Sequence, residues 1–246
     1  MSSAGADDSG QVLLVTGAGS GIGRAIAIAG ARHGYRLELW DIDPEGVQTT
    51  ASHPEVRPCL EAAQVVDVGS SAAIDNAFAD TAARGVSIAH LVNNAGPSSY
   101  IRRHFEDGLQ EAVASVHWMT QAWLRTTPPP GASVVNMSSV NGSVIGGPVA
   151  WYAAAKAAIV GYTRTLAMKR PGGIRANAVV PGLIRTPRTT ALLDGGGADH
   201  LMARLPMARA GEPEEVAEPV LFLVGPGASY VNGAVLVIDG GFTIAF

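Results

Sequence analysis

The chain has 246 residues, with 17 Lys and Arg against 21 Asp and Glu, a net charge of -4 and 47% hydrophobic residues. That supply of apolar side chains excludes wholesale disorder and is enough for one large domain or two small ones. The acidic balance, with no run of basic residues, gives no electrostatic footprint for nucleic acid or an anionic membrane surface, so neither is an expected partner.

The opening "MSSAGADDSG" is polar and acidic and lacks the cationic and apolar regions of a secretory signal, so residues 1–10 read as a flexible tail. From residue 11 to 246, short apolar runs alternate with longer amphipathic ones. Strands are predicted over 11–16, 36–40, 62–68, 89–94, 133–138, 174–180 and 234–239, and helices near 22–33, 44–52, 71–84, 106–124, 149–169 and 213–224. Several strands are almost continuously apolar, as parallel strands covered on both faces must be. The alternation predicts an α/β fold, a single domain whose parallel sheet carries helices on both faces. "TTPPPGA" (126–132) cannot be helical and reads as a loop before a strand. "GEPEEVAEPVLFLV" sets Pro and acidic residues in a first helical turn, where they suit the helix dipole. Residues 183–205 join two weak helical patterns through three glycines, a long connection of the kind that forms substrate loops or lids. The weakly charged stretch 142–163 is broken by "GGP" and carries Lys156, a poor membrane span. Cys59 is the only cysteine, which fits a reducing compartment, and a cytoplasmic location is expected.

The first strand runs into "TGAGSGIGR", with Gly17, Gly19, Gly21 and Gly23 ahead of an amphipathic helix. Glycines let the backbone approach a ligand, and the free N–H groups of a helix start suit a phosphate. The strict G-x-G-x-x-G spacing is absent, because Arg24 stands at its last position; the spacing present is T-G-x-x-x-G-x-G, from Thr16. An ordinary tight turn is the alternative, but strand–turn–helix context points to a dinucleotide, bound by these glycines with Ser20 and Ile22. Asp41 lies 18 positions after Gly23, at the end of the second strand and beside Ile42. A carboxylate there accepts hydrogen bonds from ribose hydroxyls and repels a 2′-phosphate, which favours NAD over NADP. Asp43, before Pro44, is the better candidate for capping the next helix.

Taken in order, "TGAGSGIG", Asp67 in "VVDV", "NNAG" (93–96), "MSSV" (137–140), "YAAAK" (152–156), "VVPGLIRT" (179–186) and "VNGAVLVIDGG" resemble the classical short-chain dehydrogenase/reductase family over roughly residues 10–243. The resemblance implies a Rossmann-type, doubly wound, three-layer fold of about seven parallel strands, commonly assembled as a homotetramer, with a homodimer as the alternative. It implies that Asp67 and Val68 meet the adenine and that Asn93, Ala95 and Gly96 line the cofactor cleft. Pro181, Gly182 and Thr186 would shape the nicotinamide pocket, with Ile184 giving backbone contacts to the carboxamide. Ser139 matches the catalytic serine, and the Lys156 ammonium would also bind the nicotinamide ribose.

Tyr152 and Lys156 are four residues apart and share one helix face. A free phenol, with a pKa of roughly 10, is a poor proton donor or acceptor near neutrality. An adjacent ammonium is expected to lower it. Ser139, 13 positions before Tyr152, would donate a hydrogen bond to the substrate oxygen. The expected reaction is reversible hydride transfer between NAD(H) and a secondary alcohol or ketone. Substrate contacts are expected from Ser139, Asn141, Ile145, Trp151 and Tyr152, and Val144, Ile145, Pro148 and Trp151 suggest a hydrophobic or cyclic small molecule. Arg188 reads as a solvated loop arginine, or else as a partner for an anionic group.

One family feature is missing. The resemblance implies an Asn in the helix before the serine strand, yet no Asn occurs from Pro97 to Val135. Alignment puts Ala112 or Ser115 there; Ser115 has a hydroxyl able to hold the relay water, and His117 is a weaker candidate. This gap keeps open a non-catalytic dinucleotide-binding sensor or scaffold. A 3-oxoacyl-thioester reductase is a third reading; it would want a basic patch, for which Arg102 and Arg103 are the only adjacent pair nearby. The six histidines show no metal-ligand spacing, so no metal is expected.

Overall fold

In the computed structural model, which describes residues 10–245, seven parallel strands form one sheet in the order β3-β2-β1-β4-β5-β6-β7. The strands are β1 (Val12–Thr16), β2 (Arg36–Asp41), β3 (Leu60–Val65), β4 (Ile88–Asn93), β5 (Ser133–Met137), β6 (Arg175–Pro181) and β7 (Val235–Ile238). The tail predicted over residues 1–10 falls, except for Gly10, outside the described residues. Strand alternation splits the apolar side chains into two cores. Leu13 and Val15 face Ile26 of α1 (Gly21–Arg32) and Val216 and Val220 of α9 (Pro213–Val224). Val12 and Leu14 face Phe78 of α3 (Ser71–Ala83), Met119 and Trp123 of α4 (Phe105–Arg125) and Leu166 of α6 (Ala150–Lys169). The strand order reverses between β1 and β4, which opens a crevice at the carboxyl ends of the strands.

The predicted strand at 62–68 ends three residues early. β3 is an edge strand, and after it Asp67 Oδ1 accepts from the Gly69 amide (2.8 Å), turning the backbone out of the sheet. Asp67 and Val68 are thereby released toward the crevice. Helix α2 (Pro44–Ala51) begins as read, with Asp43 Oδ1 accepting from the Glu45 amide (3.1 Å). α9 begins with a capping box, in which the Glu212 amide donates to Glu215 Oε2 (2.8 Å).

Beyond β6 the chain leaves the sheet and returns at Gly211. The Gly211 amide donates to the Leu183 carbonyl (2.9 Å) and the Arg185 amide to that of Gly211 (2.8 Å), closing the base of the excursion. Inside it, α7 (Thr190–Asp194) and α8 (Asp199–Met202) are joined through Gly195, Gly196 and Gly197. The excursion therefore runs six residues past the 183–205 limit, because its closing partner is Gly211.

His90, on β4, is buried with Nδ1 2.8 Å from Ser133 Oγ and Nε2 2.9 Å from Gln11 Oε1. Burial, and then the Arg175 charge, lower its pKa from 6.5 to about 4. The unfolded chain therefore takes up this proton at higher pH than the folded one. Stability is fully present above pH 6.5 and is lost as pH falls toward 4, by about 3 kcal/mol in all. Urea unfolding at pH 7 and pH 4.5 is expected to show most of this loss in the wild type and much less in His90→Gln. Equal losses in both proteins would reject this origin.

Candidate active site

The crevice is a cavity of about 1040 Å³ reached by side chains from both halves of the sheet. At one end lies the glycine turn after β1. Gly17 has φ +66°, and a β-carbon there would press on Asn94 and Ala95. A β-carbon on Gly23 would strike the Gly17 carbonyl, so α1 can start this close to β1 only with glycine at 23. Ser20, the N-cap of α1, makes no side-chain cap bond, leaving the first N–H groups available where Ser20, Gly21 and Ile22 line the cavity. Gly19 and Gly23 shape the turn from behind and do not line it.

At the end of β2, Asp41 Oδ2 accepts from the Gly19 amide (2.7 Å) and Oδ1 from the Asp43 amide (2.9 Å). The carboxylate is thus held in place with lone pairs to spare beside the cavity, next to exposed Ile42. Arg24 is engaged by the Gly19 carbonyl and by Thr50 Oγ1 (3.0 Å). Asp67, Val68, Ala95, Gly96, Pro181, Gly182, Ile184 and Thr186 all line the same space.

Asn93 does not. It is buried on the α4 side of the sheet, where Nδ2 donates to Thr120 Oγ1 (3.1 Å) and Asn136 Oδ1 (2.8 Å). Its neighbour Asn94, in the same "NNAG" run, lines the cavity and ties the two halves together. Asn94 Nδ2 donates to the carbonyls of Thr16 (3.0 Å) and Gly17 (3.2 Å).

At the other end, β5 delivers Ser139, whose Oγ accepts from the Asn141 amide (3.3 Å) at the start of the short helix α5 (Val140–Ser143). Ser139 also acts on the Tyr152 phenol, lowering its pKa. Helix α6 sets Tyr152 and Lys156 one turn apart, with Lys156 Nζ 5.5 Å from the Tyr152 ring centre. Nζ donates to the Met137 carbonyl (3.0 Å). Ser139, Asn141, Ile145, Tyr152 and Lys156 all line the cavity. Trp151, expected at the substrate, is instead 4% exposed and packed with Ala112 and Ala155. Its ring occupies the space that a side chain on Gly108 of α4 would need. This contact fixes the start of α6 against α4.

The electrostatics depart from the Tyr–Lys expectation. Burial raises the Tyr152 pKa above its ordinary value, outweighing the lowering by the Ser139 hydroxyl and the Arg188 charge; Tyr100 adds to the rise. Lys156 is itself pushed down to about 8, by burial and then by Arg188. Arg188, reaching in from the excursion, is a second cation beside the phenol and lowers its pKa. Its Nη2 donates to the Gly96 carbonyl (3.0 Å) across the cavity mouth. That link spans 92 residues of chain and left no local trace in the sequence.

Of the two positions offered for the missing Asn, Ala112 is packed against Trp151, whereas Ser115 lines the cavity with its hydroxyl directed to the Ala112 carbonyl (3.3 Å). His117 pairs edge-on with Tyr162 and does not line the cavity. The family model described as Enoyl-(Acyl carrier protein) reductase matches residues 17–243. A crystal structure of a short-chain dehydrogenase/reductase, glucose/ribitol dehydrogenase, from Brucella melitensis superposes with a TM-score of 0.87 at 30% identity, over 96% of this chain and 98% of that one. The chain belongs to the short-chain dehydrogenase/reductase family. Among relatives in this family, galactitol 2-dehydrogenase (L-tagatose-forming) of Cereibacter sphaeroides is 36% identical over 96% of each chain. The 3-oxoacyl-(acyl-carrier-protein) reductase FabG of Thermotoga maritima is also 36% identical, over 96% of this chain and 98% of its own. As a short-chain dehydrogenase/reductase, the chain is an oxidoreductase of the CH–OH group, and its family binds nicotinamide dinucleotides.

Proposed function

We propose that this protein uses NAD(H) to interconvert a secondary alcohol and its ketone, with a hydrophobic or cyclic body on the substrate. One observation carries the reading: Ser139, Tyr152 and Lys156 stand in the same cavity as the glycine turn and Asp41. The turn suits a dinucleotide, since Gly17 and Gly23 leave no room for β-carbons and α1 starts without a side-chain cap. When bound, the nicotinamide supplies or accepts the hydride. Tyr152 gives a proton to the substrate oxygen in reduction and removes it in oxidation. Ser139 donates a hydrogen bond to that oxygen as its negative charge grows. Lys156, held by the Met137 carbonyl, binds the nicotinamide ribose and places positive charge behind the phenol. Ser115 holds the water that returns protons to Lys156. Asp67 and Val68, which line the cavity, would hold the adenine, and Ala95, Gly96, Pro181, Gly182, Ile184 and Thr186 would hold the rest of the cofactor. Ile145, Leu192, Leu205 and Phe242 along the cavity support the apolar substrate body.

Asp41 supports NAD over NADP, because its carboxylate would face a 2′-phosphate while Arg24 is already engaged. Asp41→Ser is expected to shift the kcat/KM ratio at least about tenfold toward NADPH. An unchanged ratio would remove Asp41 from cofactor choice. The broader test is NADH consumption over a panel of cyclic and open-chain ketones; NADH binding without any turnover would favour the sensor or scaffold. The Thermotoga maritima relative favours a second reading, reduction of a 3-oxoacyl thioester. Against it, Arg103 is paired with Glu111, leaving only Arg102 of that pair for an acidic carrier. Acetoacetyl thioesters in the same panel separate the two. We further propose a cytoplasmic homotetramer. The unpartnered outer edge of β7 among the described residues, with Val237 and Phe222 exposed, supports association. Light scattering is expected to give about four times the 25.2 kDa chain mass.

A further inference from the structure

We propose that Arg188 is an anion anchor at the mouth of the cavity, taking a carboxylate, sulfonate or phosphate oxygen of a bound molecule. The proposal rests on the oxidoreductase reading for the molecules concerned, and on four observations of its own. Arg188 has no carboxylate partner among the described residues; its bond is to a neutral acceptor, the Gly96 carbonyl, at 3.0 Å. Arg185, three residues earlier in the same excursion, is by contrast paired with Asp194 (2.9 Å) and lies 3.8 Å from Glu212. The acids that line the cavity are all engaged elsewhere: Asp41 by Gly19 and Asp43, Asp67 by Gly69, Glu111 by Arg103. Finally, Thr186 and Pro187 pack directly over Gly21, and Arg188, next in the chain, lines the same cavity as the glycine turn and Tyr152. Its effect on the protonation of both Tyr152 and Lys156 agrees with that position. A guanidinium held only by a carbonyl gains by exchanging it for an anionic oxygen, since charge-assisted pairs are shorter and about twice as strong.

Two ligands of this cleft can bring such an oxygen: the dinucleotide, through its pyrophosphate, or a substrate that carries an acidic group. Arg188→Met and Arg188→Lys separate them. If the pyrophosphate is the partner, NADH titrated by fluorescence binds Arg188→Met at least about tenfold more weakly, and Arg188→Lys recovers part of the loss. If the substrate is the partner, NADH affinity holds. The wild type then prefers 3-oxocyclohexanecarboxylate over cyclohexanone in kcat/KM, and Arg188→Met loses that preference, read as the ratio of the two substrates within each variant so that any common change at Tyr152 cancels. Either result supports the anchor. Changes below twofold in NADH affinity and in the acid-to-neutral ratio, for both variants, would overturn it. The titration needs no turnover, so a failed oxidoreductase reading and a failed anchor give different results.

Discussion

Replacing Tyr152 by Phe is expected to lower kcat about 10³-fold, while NADH affinity stays within about twofold. The substitution keeps the ring, its edge-on contact with Trp151 (5.6 Å) and the fold of α6, and removes only the hydroxyl. Because burial holds the phenol protonated, the wild-type hydroxyl is already in the donor form needed for ketone reduction. Reduction is expected to fall as pH rises through about 8, where Lys156 sheds its proton and the phenol loses the charge behind it. Steady-state kinetics with a fluorescence titration of NADH measure both quantities. Turnover within tenfold of the wild type would take the proton transfer away from Tyr152.

The second large effect lies away from the cavity. Glu38 on β2 is 0% exposed, and its carboxylate accepts from Arg84 Nη2 (2.7 Å) and Nη1 (3.2 Å). Gln64 Nε2 (2.6 Å) and Trp40 Nε1 (3.1 Å) also donate to it. Arg84→Met leaves this carboxylate buried with its amide and indole donors but no countercharge. The expected cost is about 3–5 kcal/mol in urea unfolding. The double variant Glu38→Gln with Arg84→Met removes the orphaned charge as well and is expected to recover much of that loss. A single-variant cost under about 1 kcal/mol, or a double variant worse than Arg84→Met, would show that the pair is solvated in practice.

How far the sequence could be read depended on how local the controlling physics is. The seven strands stood out because both faces of a parallel strand are covered, which makes runs such as "QVLLVT" almost wholly apolar. The Asp43 cap and the acidic first turn of α9 were readable because each acts within one helical turn. Ser139, Tyr152 and Lys156 were readable from spacing together with family resemblance, and they do meet in one cavity. What escaped was set by contacts distant in the chain. Which of Asn93 and Asn94 faces the crevice depends on where β4 ends. Trp151 turns away from the cavity because Gly108, 43 residues earlier, leaves room for its ring. The rise in the Tyr152 pKa comes from burial by the whole site, which the four-residue spacing to Lys156 cannot report.

The excursion between β6 and α9 meets itself at Leu183, Arg185 and Gly211, so its two ends are neighbours before the segment between them contributes anything. Beyond that neck, Thr186 over Gly21, Arg188 on the Gly96 carbonyl and the Met207 amide on the Gly240 carbonyl (3.3 Å) pin the segment to the rim of the cavity. Residues 186–210 from a relative with the same neck should graft onto this chain without altering strand pairing. Because Arg188 acts on both Tyr152 and Lys156, such a graft would carry part of the proton chemistry with it.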